Sequence, residues 1–100
     1  MATSKEYKDY IMEQLNSLGN VSCRQMMGEY LLYLNGVLFG GIYDDRLLVK
    51  ITDTNKKYGM HEQLPYEGAK PMFMIDDVDS KEIVYEIIVE TYKGLPAKNK

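Results

Sequence analysis

The feature that most constrains the fold is the dipeptide Asn35-Gly36, which lies between two apolar runs, YLLYL before it and VLFGGIY after it. Both residues tolerate the positive φ angles of a type I′ turn, and Asn-Gly between apolar segments is the strongest short-range signal of a β-hairpin. Glu29–Leu34 and the run from Val37 are therefore predicted to pair as antiparallel strands. Gly40-Gly41 would weaken the second strand unless the backbone bends or another segment packs closely there, and we favour a bend.

Turn residues on both sides extend this hairpin into a meander. Val21–Met27 is a short run separated from the first hairpin strand by Gly28, which predicts another strand joined by a bulge or a tight turn. Asp44-Asp45 separates the second hairpin strand from Arg46–Ile51, which is the next predicted strand. The block is thus expected to contain three or four consecutive antiparallel strands.

Two amphipathic helices are predicted to flank the strands. Thr3-Ser4-Lys5-Glu6 has the spacing of a capping box, with its first residue as the N-cap, and apolar residues then recur at helical spacing as far as Leu18. Asp79-Ser80-Lys81-Glu82 repeats the capping-box spacing and begins a final helix, which Gly94 and Pro96 are expected to end. The chain therefore begins and ends in helices.

The segment between the meander and the last helix contains smaller elements. Thr52–Gly59 is polar and opens with capping residues, which predicts a helix of at most two turns. Pro65 and Glu67-Gly68 mark an irregular connection, and Met72–Ile75 is predicted to be a last short strand. This order predicts an α+β fold of two layers, in which an antiparallel sheet of four or five strands carries the terminal helices.

Length and composition indicate one ordinary soluble domain. A chain of 100 residues with 45% hydrophobic and 27% charged residues can bury one core, and we expect a domain at residues 1–94 followed by a flexible tail at 95–100. The single Cys23 cannot form an internal disulfide, which favours a reducing compartment. The N-terminus lacks the apolar stretch of a secretory signal, and no apolar run approaches the roughly 18 residues that span a bilayer. We expect a cytoplasmic protein without membrane contact.

The strand sequences raise a packing problem, because the segments YLLYL, VLFGGIY and MFMI are apolar at successive positions. A sheet with helices on one face and water on the other should instead alternate apolar and polar residues. The uncovered face would expose more apolar surface than soluble monomers usually do. We therefore expect self-association, most simply as a homodimer, through the sheet or its edge. The alternative is that the helices straddle the sheet and bury both faces.

A longer pattern resembles the N-terminal domain of the TfoX/Sxy family of competence regulators. The matching positions are Arg24-Gln25-Met26-Met27-Gly28, Tyr33, Gly36, Phe39, Asp44-Asp45-Arg46-Leu47 and Lys50. The similarity continues through Gly59-Met60 into the last helix and covers roughly Tyr7 to Tyr92. The chain departs from the family's Met-Phe-Gly-Gly at Met27 and Glu29, and from its Leu-Tyr-Leu-Lys at Leu48.

The resemblance implies a two-layer fold similar to secretion chaperones and a role in transcriptional regulation through contact with another protein, such as a component of the transcription machinery. It implies no cofactor and no catalytic residue. Because competence-type members carry a further C-terminal helical domain, this chain is expected to be a stand-alone N-terminal module. The expected interaction surface combines charged and methionine positions with the family's glycine and aromatic positions: Arg24, Met26, Met27, Gly28, Tyr33, Phe39 and Lys50.

Other kinds of site are less favoured by the sequence. The single His61 has no partner at metal-ligand spacing, and the carboxylates near Asp79 lack the EF-hand pattern, so we expect neither a metal site nor an enzyme. Arg24 and Lys50 could instead be edge-strand charges that discourage aggregation.

Two alternative functions stay open. One is direct nucleic-acid binding through tyrosines and lysines, although the net charge of −3 weakens it. The other is binding of a small molecule, for which no residue stands out. The lysines available for a basic patch are Lys5, Lys8, Lys56, Lys57, Lys93, Lys98 and Lys100.

Overall fold

The computed structural model describes residues 3–95, and this part of the chain contains two α-helices and six strands. The helices are α1 (Lys5–Leu15) and α2 (Lys81–Gly94), and the strands are β1 (Val21–Met26), β2 (Glu29–Leu34), β3 (Val37–Ile42), β4 (Leu47–Val49), β5 (His61–Gln63) and β6 (Met72–Met74). The predicted α+β class and antiparallel sheet are confirmed, and the sheet has one strand more than the upper expectation. The additional strand is β5, whose sequence HEQ carries no apolar signal.

The six strands form one antiparallel sheet in the order β1-β2-β3-β4-β6-β5. The first four strands are joined by three two-residue turns, Met27-Gly28, Asn35-Gly36 and Asp44-Asp45. All six turn residues have positive φ, between 52° and 83°, as type I′ turns require. The meander predicted from the turn residues is therefore present, and Gly28 belongs to a tight turn.

The paired glycines of β3 are required by close packing. The register between β2 and β3 shifts at Leu32/Tyr33, so the strand is also irregular beside them. A Cβ at Gly40 would overlap the carbonyl oxygen of Leu48 in β4, and a Cβ at Gly41 would lie 2.6 Å from the ring of Tyr43. Only glycine lets the neighbouring strand and this ring approach so closely.

Both helices pack on the same face of the sheet. Alternate residues of the strands meet apolar residues of α1 and α2 in one core, whose most deeply buried members are Ile11, Leu15, Leu32, Phe39, Ile42, Leu47, Val49, Val84 and Ile88. The alternative in which the helices straddle the sheet is therefore wrong. Leu95 also lies in this core, so the tail expected from residue 95 does not begin there, and residues 96–100, with Pro96, lie outside the described residues.

The helix boundaries differ from the expected caps by one residue. The N-cap of α1 is Ser4, whose hydroxyl accepts from the amide of Tyr7, while Thr3 is engaged by the sheet. The N-cap of α2 is Ser80, without a side-chain hydrogen bond. Leu18 ends a single 3₁₀ turn after α1, and the helix predicted within Thr52–Gly59 is also only one 3₁₀ turn. Local spacing thus located both helices, and at α1 the hydrogen bonds of Thr3 with Glu29, Ile42 and Asp45 leave the cap to Ser4.

Candidate interaction surface on the second sheet face

The face of the sheet opposite the helices is divided into two parts with different cover. By strand alternation this face carries Leu31 and Tyr33 of β2, Leu38 of β3 and Leu48 of β4, together with the two methionines of β6. Leu48 is completely buried, whereas Leu31, Tyr33 and Leu38 are half-buried. Something other than the helices therefore covers the β4 side.

The cover on the β4 side is the connection between β5 and β6, residues 64–71. Its Pro65 is buried, and the ring of its Tyr66 lies 6.3 Å from that of Tyr43, centroid to centroid. The Arg46 guanidinium holds the start of the connection, since it donates to the carbonyl oxygens of Leu64, at 3.2 Å, and Pro65, at 3.4 Å. The chain itself thus covers the β4 side of the face that we expected a second copy to cover.

The β1–β2 side of this face has no such cover among residues 3–95. Arg24 and Met26 lie on β1 with their side chains exposed, and Met26 is 50% exposed. Met27, at the tip of the turn, is 96% exposed. We call Arg24, Met26, Met27, Leu31 and Tyr33 the hairpin surface. It combines two exposed methionines with half-buried apolar residues and one cation, which has no ion-pair partner in the described part of the chain.

The backbone at the tip of this hairpin is held in a conformation that methionine disfavours. Met27 has φ of 53°, in the left-handed region that only glycine, asparagine and aspartate visit readily. The carboxylate of Glu29 holds this corner because it accepts from the amide of Thr3, at 3.0 Å, and from the amide of Asp44, at 3.2 Å. The turn is therefore anchored to the start of the chain and to the β3–β4 turn.

The expected surface residues are not all in one place. Arg24, Met26, Met27, Gly28 and Tyr33 lie in or beside the β1–β2 hairpin. Phe39 is a correction: it is completely buried in the core with the helices, because strand alternation places it on the same side of β3 as Val37.

Lys50 also lies apart from the hairpin surface, in a cleft on the β4 side. This cleft has a volume of about 650 Å³ and lies between the sheet and the connection 64–71. Its walls include Tyr43, Tyr66 and Lys70, none of which the sequence singled out. The signal that could have indicated them was the apolar run Leu64-Pro65-Tyr66 inside a predicted loop.

Burial perturbs the tyrosine at the centre of this face. The pKa of Tyr43 is raised, mainly because its phenol is buried and secondarily by Tyr66, Glu29 and Tyr33. The hydroxyl therefore stays protonated and able to donate a hydrogen bond throughout the physiological range.

Cys23, His61 and Asp79, which the sequence raised as candidate site residues, do not come together in a site. Cys23 is a free thiol that packs against the main core, and His61 is exposed on β5. Asp79 accepts a hydrogen bond from the hydroxyl of Tyr10. Within residues 3–95, no three His, Cys, Asp or Glu side chains are grouped closely enough to hold a metal ion. None of the helices in that range is long and apolar enough to cross a bilayer.

The lysines proposed for a basic patch are balanced by neighbouring carboxylates. Lys5 and Lys8 pair with Asp9, and Lys57 and Lys93 pair with Glu90, at 2.8 to 3.5 Å. Lys56 pairs with Asp53 at 3.4 Å. Lys98 and Lys100 lie outside the described residues.

Comparison with known proteins relates the chain to a curated relative and to a family model. A protein from Spirochaeta aurantia described as an uncharacterized 12.7 kDa protein in the trpE 5′ region is 31% identical over 100 residues, which is 97% of this chain and 87% of that relative. The sequence model of the TfoX N-terminal domain matches residues 13–85, which include β1 to β6 and the first part of α2. The chain therefore belongs to the TfoX N-terminal domain family.

Proposed function

We propose that this protein is a small regulatory module of the competence-regulator type that acts in the cytoplasm by binding another protein, and that its partner contacts the hairpin surface. The observation that carries this proposal is Met27, which is at once 96% exposed and held at a positive φ. An apolar side chain at such a position costs solubility and backbone energy. Strained, exposed residues of this kind cluster at binding sites.

The chemistry of the hairpin surface suits an apolar protein groove. Methionine is flexible and polarisable, and it adapts to irregular partner surfaces. Met26 and Met27 are adjacent at the tip, and the half-buried Leu31 and Tyr33 continue the apolar surface along β2. Arg24, which pairs with Leu31 across the strands, adds one cation beside them. The partner is therefore expected to offer an apolar pocket with an acidic group at its rim.

The alternatives have weaker support. Nucleic-acid binding relies on clustered cations that are free to neutralise phosphates. Five of the seven lysines considered for that role form ion pairs with carboxylates, and the net charge of the chain is −3. The proposed activity is binding and not catalysis, since the residues that distinguish this surface are two methionines, a leucine, a tyrosine and an arginine.

The experiment compares variants of the tip with a matched apolar position on the helix layer. Met27→Asn and Met26→Thr remove the exposed thioethers while suiting a left-handed turn and a strand. The control is Ile83→Gln in α2, because Ile83 is 42% exposed and lies on the opposite layer. The tagged protein is used to capture and identify a partner by crosslinking, and the dissociation constant is then measured with both proteins purified.

We expect the double variant Met26→Thr/Met27→Asn to bind the partner at least about 10-fold more weakly than the parent, as for loss of an interface hot spot. The control Ile83→Gln should bind the partner as tightly as the parent. Met27→Asn should be at least as stable as the parent, which separates loss of binding from loss of fold. A partner whose dissociation constant is unchanged by both tip substitutions would contradict the assignment of this surface.

Self-association remains a prediction with a smaller surface than first expected, because the connection 64–71 covers the β4 side. The hairpin surface and the two outer edges of the sheet are the places left for a homodimer, because within the described residues β1 pairs only with β2 and β5 only with β6. Sedimentation equilibrium checks this, and a strict monomer at high micromolar concentration would rule it out.

A further inference from the structure

The cleft on the β4 side has the size and walls of a small-molecule site. Its floor is the second face of the sheet, and its roof is the connection 64–71. A volume of about 650 Å³ is within the range of ordinary ligand pockets, about 300–1,000 Å³. The apolar and aromatic residues in its walls are Leu38, Tyr43, Ile51, Pro65, Tyr66 and Met72.

The roof of the cleft is held in place by hydrogen bonds. Besides its bonds to the carbonyls of Leu64 and Pro65, the Arg46 guanidinium donates to the carbonyl of Tyr43, at 3.1 Å, and to the side-chain oxygen of Gln63, at 3.3 Å. A turn closed by the amide of Ala69 and the carbonyl of Tyr66 shapes the rest of the roof. A ligand would therefore enter a largely preformed site, which lowers the entropic cost of binding.

Two cations line this cleft without a countercharge. Lys50 follows β4 and is half-buried, and Lys70 belongs to the roof. Neither side chain forms an ion pair or a hydrogen bond with the described residues, unlike Lys5, Lys8 and Lys57. In a chain with net charge −3, two unpaired lysines on one apolar cleft make that cleft complementary to a negative group.

We propose that this cleft binds a small apolar carboxylate, with its aromatic or aliphatic part against Tyr43, Ile51 and Met72 and its carboxylate between Lys50 and Lys70. This site shares no residue with the hairpin surface, although Leu38 in its wall pairs with Tyr33 across β2 and β3. Because the two sites use different residues, the tests of partner binding and of carboxylate binding can have different outcomes.

The test uses three probes of related shape, phenylacetate, its neutral analogue phenylacetamide, and hexanoate, titrated into the intact protein and followed by two-dimensional amide NMR. We expect phenylacetate to shift the amides of Tyr66, Ala69 and Met72 saturably, with a dissociation constant of about 1 mM or tighter. The amide analogue should bind about 10-fold more weakly, since it lacks the charge. Hexanoate should shift the same amides as phenylacetate.

Substitutions separate the two parts of the site. Lys50→Met and Lys70→Met should each weaken phenylacetate about 10-fold, and Ala69→Leu should weaken it by reducing the cleft even though both lysines remain. Lys81→Met is the control, because Lys81 is exposed at the start of α2 on the other layer. The amide spectrum of each variant reports whether it is folded.

Three results would overturn the inference. The first is that no probe gives a saturable shift up to about 10 mM. The second is that phenylacetate and phenylacetamide bind with equal affinity. The third is that the parent and the Lys50→Met/Lys70→Met double variant bind phenylacetate with equal affinity.

Discussion

Asn55 is a buried polar residue whose removal should destabilise the whole domain. It is 0% exposed and lies between the end of β4 and the helix α2. Its side-chain amide donates to the carbonyl of Lys50 and to the hydroxyl of Thr91, both at 2.8 Å. Its side-chain oxygen accepts from the amide of Thr52 at 3.0 Å. Asn55 therefore ties the segment after the meander to the helix layer.

The size of the effect follows from these three bonds. Substitution by alanine leaves the carbonyl of Lys50, the amide of Thr52 and the hydroxyl of Thr91 each without one partner. At about 1 kcal/mol for each bond, Asn55→Ala should lower the free energy of unfolding by about 3 kcal/mol. In a domain of this size the melting temperature should fall by roughly 12 to 24 °C.

The measurement is chemical denaturation of the parent, Asn55→Ala, Thr91→Val and the double variant. The hydroxyl of Thr91 also donates to the carbonyl of Ile87, so Thr91→Val has a cost of its own. The double-mutant cycle isolates the bond between the two side chains, and we expect a coupling of about 1 kcal/mol. The slope of the free energy of unfolding against denaturant concentration should be the same in all four proteins if the substitutions affect only the native state.

The control is Asn20→Ala, since Asn20 is exposed before β1 and its side chain has no hydrogen bond with the described residues. That variant should change the free energy of unfolding by less than about 0.5 kcal/mol. A cost below about 1 kcal/mol for Asn55→Ala, or additive effects of the two single substitutions, would refute the view that this network holds the segment to α2.

Three further predictions concern stability. Gly40→Ala should lower the free energy of unfolding by about 2 kcal/mol or more in thermal denaturation, because its Cβ would overlap a carbonyl oxygen of the neighbouring strand. Burial first and the hydrogen bond to Glu86 second raise the pKa of Tyr58 from 10.0 to about 12. The stability linked to this proton is complete below pH 10 and is lost as the pH rises through about 12. Tyr58→Phe should therefore reduce the loss of stability at alkaline pH. Glu86→Gln should bring the pKa of Tyr58, measured by absorbance titration, closer to 10. Arg46→Met should speed hydrogen exchange of the amides in residues 64–71, and unchanged exchange would contradict its role as the anchor of the roof.

Much of the meander could be predicted because turn chemistry is local. Asn35-Gly36, Asp44-Asp45 and Gly28 all adopt the positive φ that their residue types favour, so the strands between them could be placed within a few residues. Strand β5 could not be predicted in this way. It forms by pairing with β6, and its sequence has no alternating pattern of its own.

The candidate sites were less predictable because burial depends on distant contacts. Phe39 matches the family pattern in the same way as Tyr33, yet it lies with Val37 on the side of β3 that faces the helices and is buried in the core, whereas Tyr33 is half-buried on the other face. Lys50 was expected to share a surface with the hairpin methionines, but it lines the cleft with Lys70, a residue 20 positions further along the chain.

The sequence by itself determined the family, the α+β class and the three hairpins, because residue types at turns and helix starts act over a few neighbouring positions. It also determined that the sheet is apolar on both faces. Only the tertiary structure decided what covers the second face. Hydrogen bonds from Arg46 hold the start of residues 64–71 on the β4 side, whereas the methionines of the β1–β2 hairpin stay exposed. These contacts join segments that are distant in the sequence, so no local sequence pattern predicts them.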